Sequence, residues 1–198
     1  MENPLGALIR REIRESTRIQ QALYESNDIL AQIERIVELM VTAYQSGHKV
    51  LLAGNGGSAA DAQHLAAELV GRLNRQRAAL AAIALTTDTS ILTAVSNDSG
   101  FENIFLRQIE ALGHEGDIFV GISTSGNSEN LLAAIRACRE KGLGVVGLTG
   151  KSGGKMAPLC DVAVSVPSQH TQRIQESHIL IGHAICAAVE QALFGEGF

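Results

Sequence analysis

The chain has 198 residues, 45% of them hydrophobic and only 4% aromatic, with no Trp and a formal net charge of −5. That length suits one domain with a core of Ala, Leu, Ile and Val, with room for an appended helical arm. The acidic balance excludes wholesale binding to nucleic acid or to an anionic membrane, though not a small local basic patch.

Residues 1–47 read as two helices. Leu5, Leu8 and Ile9 begin one apolar stripe, and Ile29, Leu30, Ile33, Ile36, Val37 and Met40 keep helical spacing in the second. Ser26 and Asn27 break the pattern between them. Glu2, Arg10, Arg11 and Glu12 crowd the place where the apolar segment of a secretory signal would start. The two helices find no evident cover for their apolar faces inside a small α/β domain, so an oligomer interface is expected for them.

From Lys49 the pattern alternates. Apolar runs at 50–53, 82–85, 118–122, 145–148 and 162–166 each end in a polar or Gly-rich turn. Helical stretches at 58–73, 129–141 and 173–193 lie among them, with a broken helical region at 90–112. The connection 149–161 is glycine-rich and has room for a short helix. Strands alternating with helices predict right-handed crossovers and a parallel sheet covered on both faces. Residues 179–189 are apolar on nearly every face and should be buried all round, in part by a partner subunit. Cys138, Cys160 and Cys186 have no CxxC spacing, and two of them fall in Ala/Leu/Ile-rich helical runs, which reads as buried free thiols. No run approaches the roughly 18 apolar residues of a membrane span, so a cytoplasmic protein is expected.

Two loops after predicted strands carry chemistry. Ala53-Gly54-Asn55-Gly56-Gly57-Ser58 and Ser123-Thr124-Ser125-Gly126-Asn127-Ser128 each open a helix. Glycines let the backbone approach a ligand, free amides at a helix start favour an anion, and hydroxyls donate to phosphate oxygens. Either loop alone is an ordinary turn; two in equivalent places point to a phosphate. The first also fits the dinucleotide pattern GxGxxG/A, but no acidic residue ends the second strand, as ribose binding needs. Gly150-Lys151-Ser152 lacks the upstream glycine of a P-loop, since position 145 is Val145. A nucleotide is therefore not expected.

His64 and Glu68 stand four residues apart on one helix face, with Arg72 a turn later. That spacing alone does not separate a metal or catalytic pair from an ordinary surface ladder, and by itself favours the ladder somewhat. On the last helix Gln175, Ile179 and His183 share a side, and His178 falls about 60° from Gln175. His183 lies in a run too apolar for solvation and needs a partner, either a backbone carbonyl or a ligand shared with His64 and Glu68.

Taken together, these residues resemble the sugar isomerase (SIS) fold, and within it the phosphoheptose (sedoheptulose 7-phosphate) isomerases. The resemblance runs through essentially the whole chain. It rests on 53–58, Ala62-Gln63-His64 with Glu68, Ala94-Val95-Ser96-Asn97-Asp98, 121–128 and Arg173-Ile174-Gln175-Glu176-Ser177-His178. It implies one SIS domain over 1–198: a flavodoxin-like five-stranded parallel sheet over 48–198, and an N-terminal arm, 1–47, used in a homotetramer. It implies a sugar-phosphate site formed by Asn55, Gly56, Gly57, Ser58, Glu68, Arg72, Asn97, Asp98, Ser123, Thr124, Ser125, Ser128 and Gln175. It further implies one zinc per subunit held by His64, Glu68, Gln175 and His183, labile because a Gln amide is a poor zinc ligand. The implied reaction turns sedoheptulose 7-phosphate into D-glycero-D-manno-heptose 7-phosphate through an enediol, with Glu68 as base and His183 moving protons. Two rivals share the fold. One is a non-catalytic tetramer that binds the replication initiator protein, whose branch lacks the side chains equivalent to Glu68 and His183. The other is a sugar-phosphate sensor, which normally adds a DNA-binding module. Relatives usually carry prolines where this chain has Arg77-Ala78-Ala79-Leu80-Ala81, and residues 169–172 are assigned no role.

Overall fold

A computed structural model of the chain describes residues 3–195. Two helices lead. In α1 (Pro4–Glu25) the Asn3 side chain accepts from the Leu5 amide at 3.0 Å, and Pro4 occupies the first turn, where a missing N–H costs nothing. The break expected at Ser26–Asn27 is real: Ser26 leaves helical geometry and its hydroxyl accepts from the Ile29 amide to start α2 (Asn27–Gln45).

The alternating half follows as β1 (Val50–Gly54), α3 (Gly57–Val70), β2 (Ala82–Ala84), α4 (Thr89–Ser99), α5 (Leu106–Leu112), β3 (Ile118–Ser123), α6 (Glu129–Glu140), β4 (Gly144–Thr149), β5 (Val162–Ser165) and α7 (Thr171–Phe194). The broken region at 90–112 resolves into α4, a 3₁₀ turn at Phe101–Asn103 and α5. The glycine-rich connection before β5 holds only a 3₁₀ turn, Ala157–Leu159. All four strand pairings are parallel, in the order β2-β1-β3-β4-β5. The architecture is the expected five-stranded α/β sheet.

Side chains alternate across the sheet, which gives two cores. Val50 and Leu52 of β1 and Val146 and Leu148 of β4 face α2, α3 and α7. Leu51, Ala53, Phe119 and Val145 face α5 and α6. Such continuous apolar strands are what a sheet buried on both faces requires.

One expectation changes. The second leading helix does have cover within the chain: Ile36, Met40 and Ala43 are buried, and α2 packs on α7 and β5. Only α1 keeps an open stripe, with Leu5, Ile9 and Ile13 each about 60% exposed. The last helix is not buried all round within this chain, because Leu180 is 45% exposed while Ile181, Ile185 and Val189 lie in the core. By length and mean hydropathy α7 is able to cross a membrane, although no run of 18 purely apolar residues occurs, and its packing on α2 and α3 is that of a core helix. All three cysteines are free; Cys138 and Cys186 are buried, and Cys160 is half-buried with its thiol donating to the Met156 carbonyl.

Candidate active site

The strand order reverses between β1 and β3, so the loops leaving these strands splay apart and open a crevice at their carboxyl ends. Both Gly/Ser loops bound that crevice. Gly56 and Ser128 precede α3 and α6, and neither helix start is capped by a side chain. The Ser58 and Ala59 amides already bond to the Asn55 and Gly56 carbonyls, which leaves the Gly57 amide of α3 and the Glu129 and Asn130 amides of α6 for an anion. Within the second loop, the hydroxyls of Ser123 and Ser128 lie 3.2 Å apart, and Ser123 Oγ accepts from the Gly126 amide at 3.1 Å. Asn127 folds back on Ser125 and accepts the Lys155 amide, which fixes the loop against the glycine-rich connection. A hollow of about 280 Å³ beside the loops is lined by Asn55, Phe101, Glu102, Ser128, Glu129 and Asn130.

The second part of the site lies between two helices. α3 and α7 run side by side in the same direction: Leu65 packs on Gly182, and the loop leaving α3 reaches Glu190. A methyl group on Gly182 would stand 2.6 Å from the Leu65 methyls, so a larger residue here would force the buried Leu65 side chain to shift. The approach brings His64 Nε2 to 2.8 Å from His183 Nε2, with Glu68 Oε1 3.3 Å from His64 Nε2. The rings meet edge to face. At 2.8 Å one imidazole donates to the other, so at least one nitrogen is an unprotonated acceptor.

Two imidazole nitrogens and a carboxylate oxygen, all within 4.8 Å of one another, suit a metal ion. Three N/O ligands with an open fourth position are the pattern of a catalytic zinc site. To hold a metal through both of these nitrogens, the two rings would give up the proton between them. His64 lies seven residues into α3, about 10 Å along the helix from the first loop, a span an extended sugar phosphate can bridge.

The other expected residues are distributed unevenly. The Gln175 amide nitrogen would stand 2.5 Å from a side chain on Gly57, at the first-loop end of α3 and α7, about 12 Å along α7 from His183. Asn55 is half-buried, and its amide exchanges two hydrogen bonds with that of Asn130, at 3.0 and 2.9 Å. Ser58 is buried beneath the loop rather than on its open side. Arg72 follows the end of α3 and donates to Gln76. Asn97 and Asp98 are exposed on α4 and bond to each other at 2.8 Å. Thr124 is half-buried, and Ser125 is exposed.

Several structurally important residues escaped sequence reasoning. The core histidine bonded to a backbone carbonyl is His178, not His183: His178 is fully buried and its Nε2 donates to the Thr149 carbonyl at 3.1 Å. Burial lowers its pKa to about 4, against the Thr149 bond, which favours the charged form. Asn130 gives no signal beyond following the loop. One oxygen of Asp61, three residues before His64, is buried without a partner, and burial raises the pKa of that carboxyl despite the nearby His64. Glu190 was findable, since an acid in an apolar helix must be paired.

The SIS-domain family model matches residues 13–150, more than half of the chain. The chain is 55% identical over 190 residues to the phosphoheptose isomerase of Aneurinibacillus thermoaerophilus, covering 96% of each protein. The chain belongs to the phosphoheptose isomerases of the SIS-domain family. Phosphoheptose isomerases are aldose–ketose isomerases, so the chain is an enzyme of that class. Solved structures agree. The phosphoheptose isomerase from Neisseria gonorrhoeae superposes with a TM-score of 0.89 at 45% identity, over 94% of this chain and 99% of that one. The phosphoheptose isomerase from Francisella tularensis gives the same score at 36% identity, over 96% and 100%.

Proposed function

We propose that the protein converts sedoheptulose 7-phosphate to D-glycero-D-manno-heptose 7-phosphate, the first step towards nucleotide-activated heptose. The observation that carries this reading is the His64–Glu68–His183 cluster, set about 10 Å along α3 from the first of the two Gly/Ser loops. The amides at the starts of α3 and α6, with the hydroxyls of Ser123, Thr124, Ser125 and Ser128, hold the phosphate. Binding energy from that end positions the reacting carbons. Glu68 removes the proton beside the carbonyl, an enediol forms, and the proton returns at the neighbouring carbon. His183, whose Nε2 already shares a proton with His64, moves protons at the substrate oxygens. Asn97, Asp98, Arg72 and Gln175 complete the sugar contacts in this reading.

The donor set His64, Glu68 and His183 fits zinc, and Gln175 would be the fourth ligand by the family resemblance. When bound, zinc would supply a Lewis acid for the negative charge that develops during enolisation. The open α1 stripe supports association with a partner subunit; that the working form is a cytoplasmic homotetramer rests on the family resemblance. The test is incubation of the purified protein with sedoheptulose 7-phosphate, with and without chelator and added zinc, followed by NMR and mass spectrometry. Aldoheptose phosphate whose formation chelator suppresses and zinc restores supports the reading. Sugar phosphate that binds but is never converted refutes it and leaves a binding protein.

A further inference from the structure

Arg77 and Glu190 form an ion pair whose two side chains are each only 2% exposed. The Arg77 guanidinium donates from Nε to Glu190 at 3.0 Å, and from its terminal nitrogens to the Leu69 and Glu68 carbonyls at 2.9 Å each. Those carbonyls end α3, where a helix leaves acceptors without partners and its dipole favours a cation. The Glu190 carboxylate gathers the amides of Leu73, Asn74 and Arg75, so the loop leaving α3 winds around it. Burial pushes the Glu190 pKa up, but the bonds from Leu73, Asn74, Arg77 and Arg75 outweigh it and hold the carboxyl below its ordinary value.

Stability alone accounts poorly for such a pair, because apolar residues of similar volume often serve a fold as well or better. Apolar packing would not fix a helix end in rotation and height, whereas three directed bonds from one planar group, two of them to α3 carbonyls, do. Arg77 grips the peptide carbonyl of Glu68 itself, and Glu190 sits two turns beyond His183 on α7. A 20° rotation of α3 would swing a side chain about 6 Å from its axis by about 2 Å. A misplacement of about 1 Å can cost a hundredfold in rate. We propose that the Arg77–Glu190 pair is a positioning device that holds Glu68 and His64 on α3 in register with His183 on α7. This inference rests on the catalytic reading of that cluster.

The test compares wild type with Arg77→Lys, which keeps the charge and loses the fork, and with Glu190→Gln, which keeps an acceptor for the loop amides and loses the charge. Four quantities are read below each protein's melting temperature: kcat, KM for the sugar phosphate, zinc affinity by competition with a chromophoric chelator, and inorganic phosphate affinity. The expected result is a fall of about tenfold or more in kcat and zinc affinity, with KM and phosphate affinity within about twofold of wild type. Should Arg77→Lys fail to fold, the same split in Glu190→Gln supports the inference. Folded variants with wild-type kcat and zinc affinity overturn it, as does a loss that falls equally on phosphate binding. A wild-type protein without turnover refutes the catalytic reading itself; wild-type turnover with unaffected variants refutes only the positioning role.

Discussion

His178 makes the acid stability of this fold calculable. Its ring is fully buried, its Nε2 donates to the Thr149 carbonyl at the end of β4, and its Nδ1 is buried without a partner. A second ring proton would have nothing to bond, which is why burial holds the pKa near 4 against an ordinary 6.5. Above pH 6.5 neither the folded nor the unfolded chain carries that proton. As pH falls from 6.5 towards 4 the unfolded chain takes it up and the folded chain does not, so stability is lost with acid. The full loss is about 3 kcal/mol, of which about 2 kcal/mol has gone by pH 5. His178→Gln is the informative variant, because its amide can reach the Thr149 carbonyl and does not titrate. Urea unfolding followed by far-ultraviolet circular dichroism suits a chain without Trp, at one fixed protein concentration because association shifts apparent stability. Between pH 7.5 and 5 the wild type should lose about 2 kcal/mol more than His178→Gln; carboxylates titrate mostly below that window. Parallel curves for the two proteins across the window would refute the argument.

Other perturbations separate the parts of the site. Glu68→Gln should cut kcat by a hundredfold or more, roughly the share of a general base, with sugar-phosphate affinity nearly intact; retained turnover would remove Glu68 from the mechanism. Gly182→Ala forces a methyl into Leu65 and should cost about 1–3 kcal/mol, with weaker zinc binding as His64 and His183 are pushed apart, both read by thermal melts and chelator competition. Asn130→Ala leaves the Asn55 amide unpaired at a cost of about 1–3 kcal/mol, and loosening of the first loop should raise KM more than it lowers kcat in steady-state assays. Asp117 is buried, and its bonds from Lys49 and His114 outweigh burial and hold its pKa below the ordinary value. It therefore stabilises the fold above the ordinary carboxylate pKa and loses that contribution as pH falls, so Asp117→Asn should flatten the acid limb of a stability-versus-pH curve below about pH 4.

The fold was legible in the sequence to the extent that it is periodic. The five apolar runs, their alternation with helices and the break at Ser26 all follow from local pattern, and the structure moves their ends by a few residues at most. Pairing of helices was not legible, because it depends on which faces meet. The apolar stripe of α2 looks the same whether a sheet or a second subunit covers it, and only the tertiary contacts of Ile36 and Met40 decide. The two histidines of α7 show the same limit. His178 and His183 both lie in apolar sequence, yet one turns into the core towards Thr149 and the other towards α3, a difference of helical phase that composition does not carry.

The buried groups that frame the site share a further property, which is why motif reading passed over them. Arg77 and Glu190 bond chiefly to backbone atoms or to each other, and Asn130 bonds to the Asn55 amide. Their bonds join segments far apart in the chain: Asn55 to Asn130 across the two loops, and Glu190 to Leu73, Asn74 and Arg75 across α7 and the end of α3. A loop motif such as 53–58 announces itself because its glycines and hydroxyls work within six residues. A clasp between distant segments leaves only an unexplained polar residue in an apolar stretch. Glu190, after Cys186-Ala187-Ala188-Val189, was such a residue, and the cost of burying an unpaired carboxylate made a cationic partner obligatory. That Arg77 should be the partner, with its other donors on the carbonyl of Glu68, ties the ion pair to the one carboxylate from which catalysis is expected.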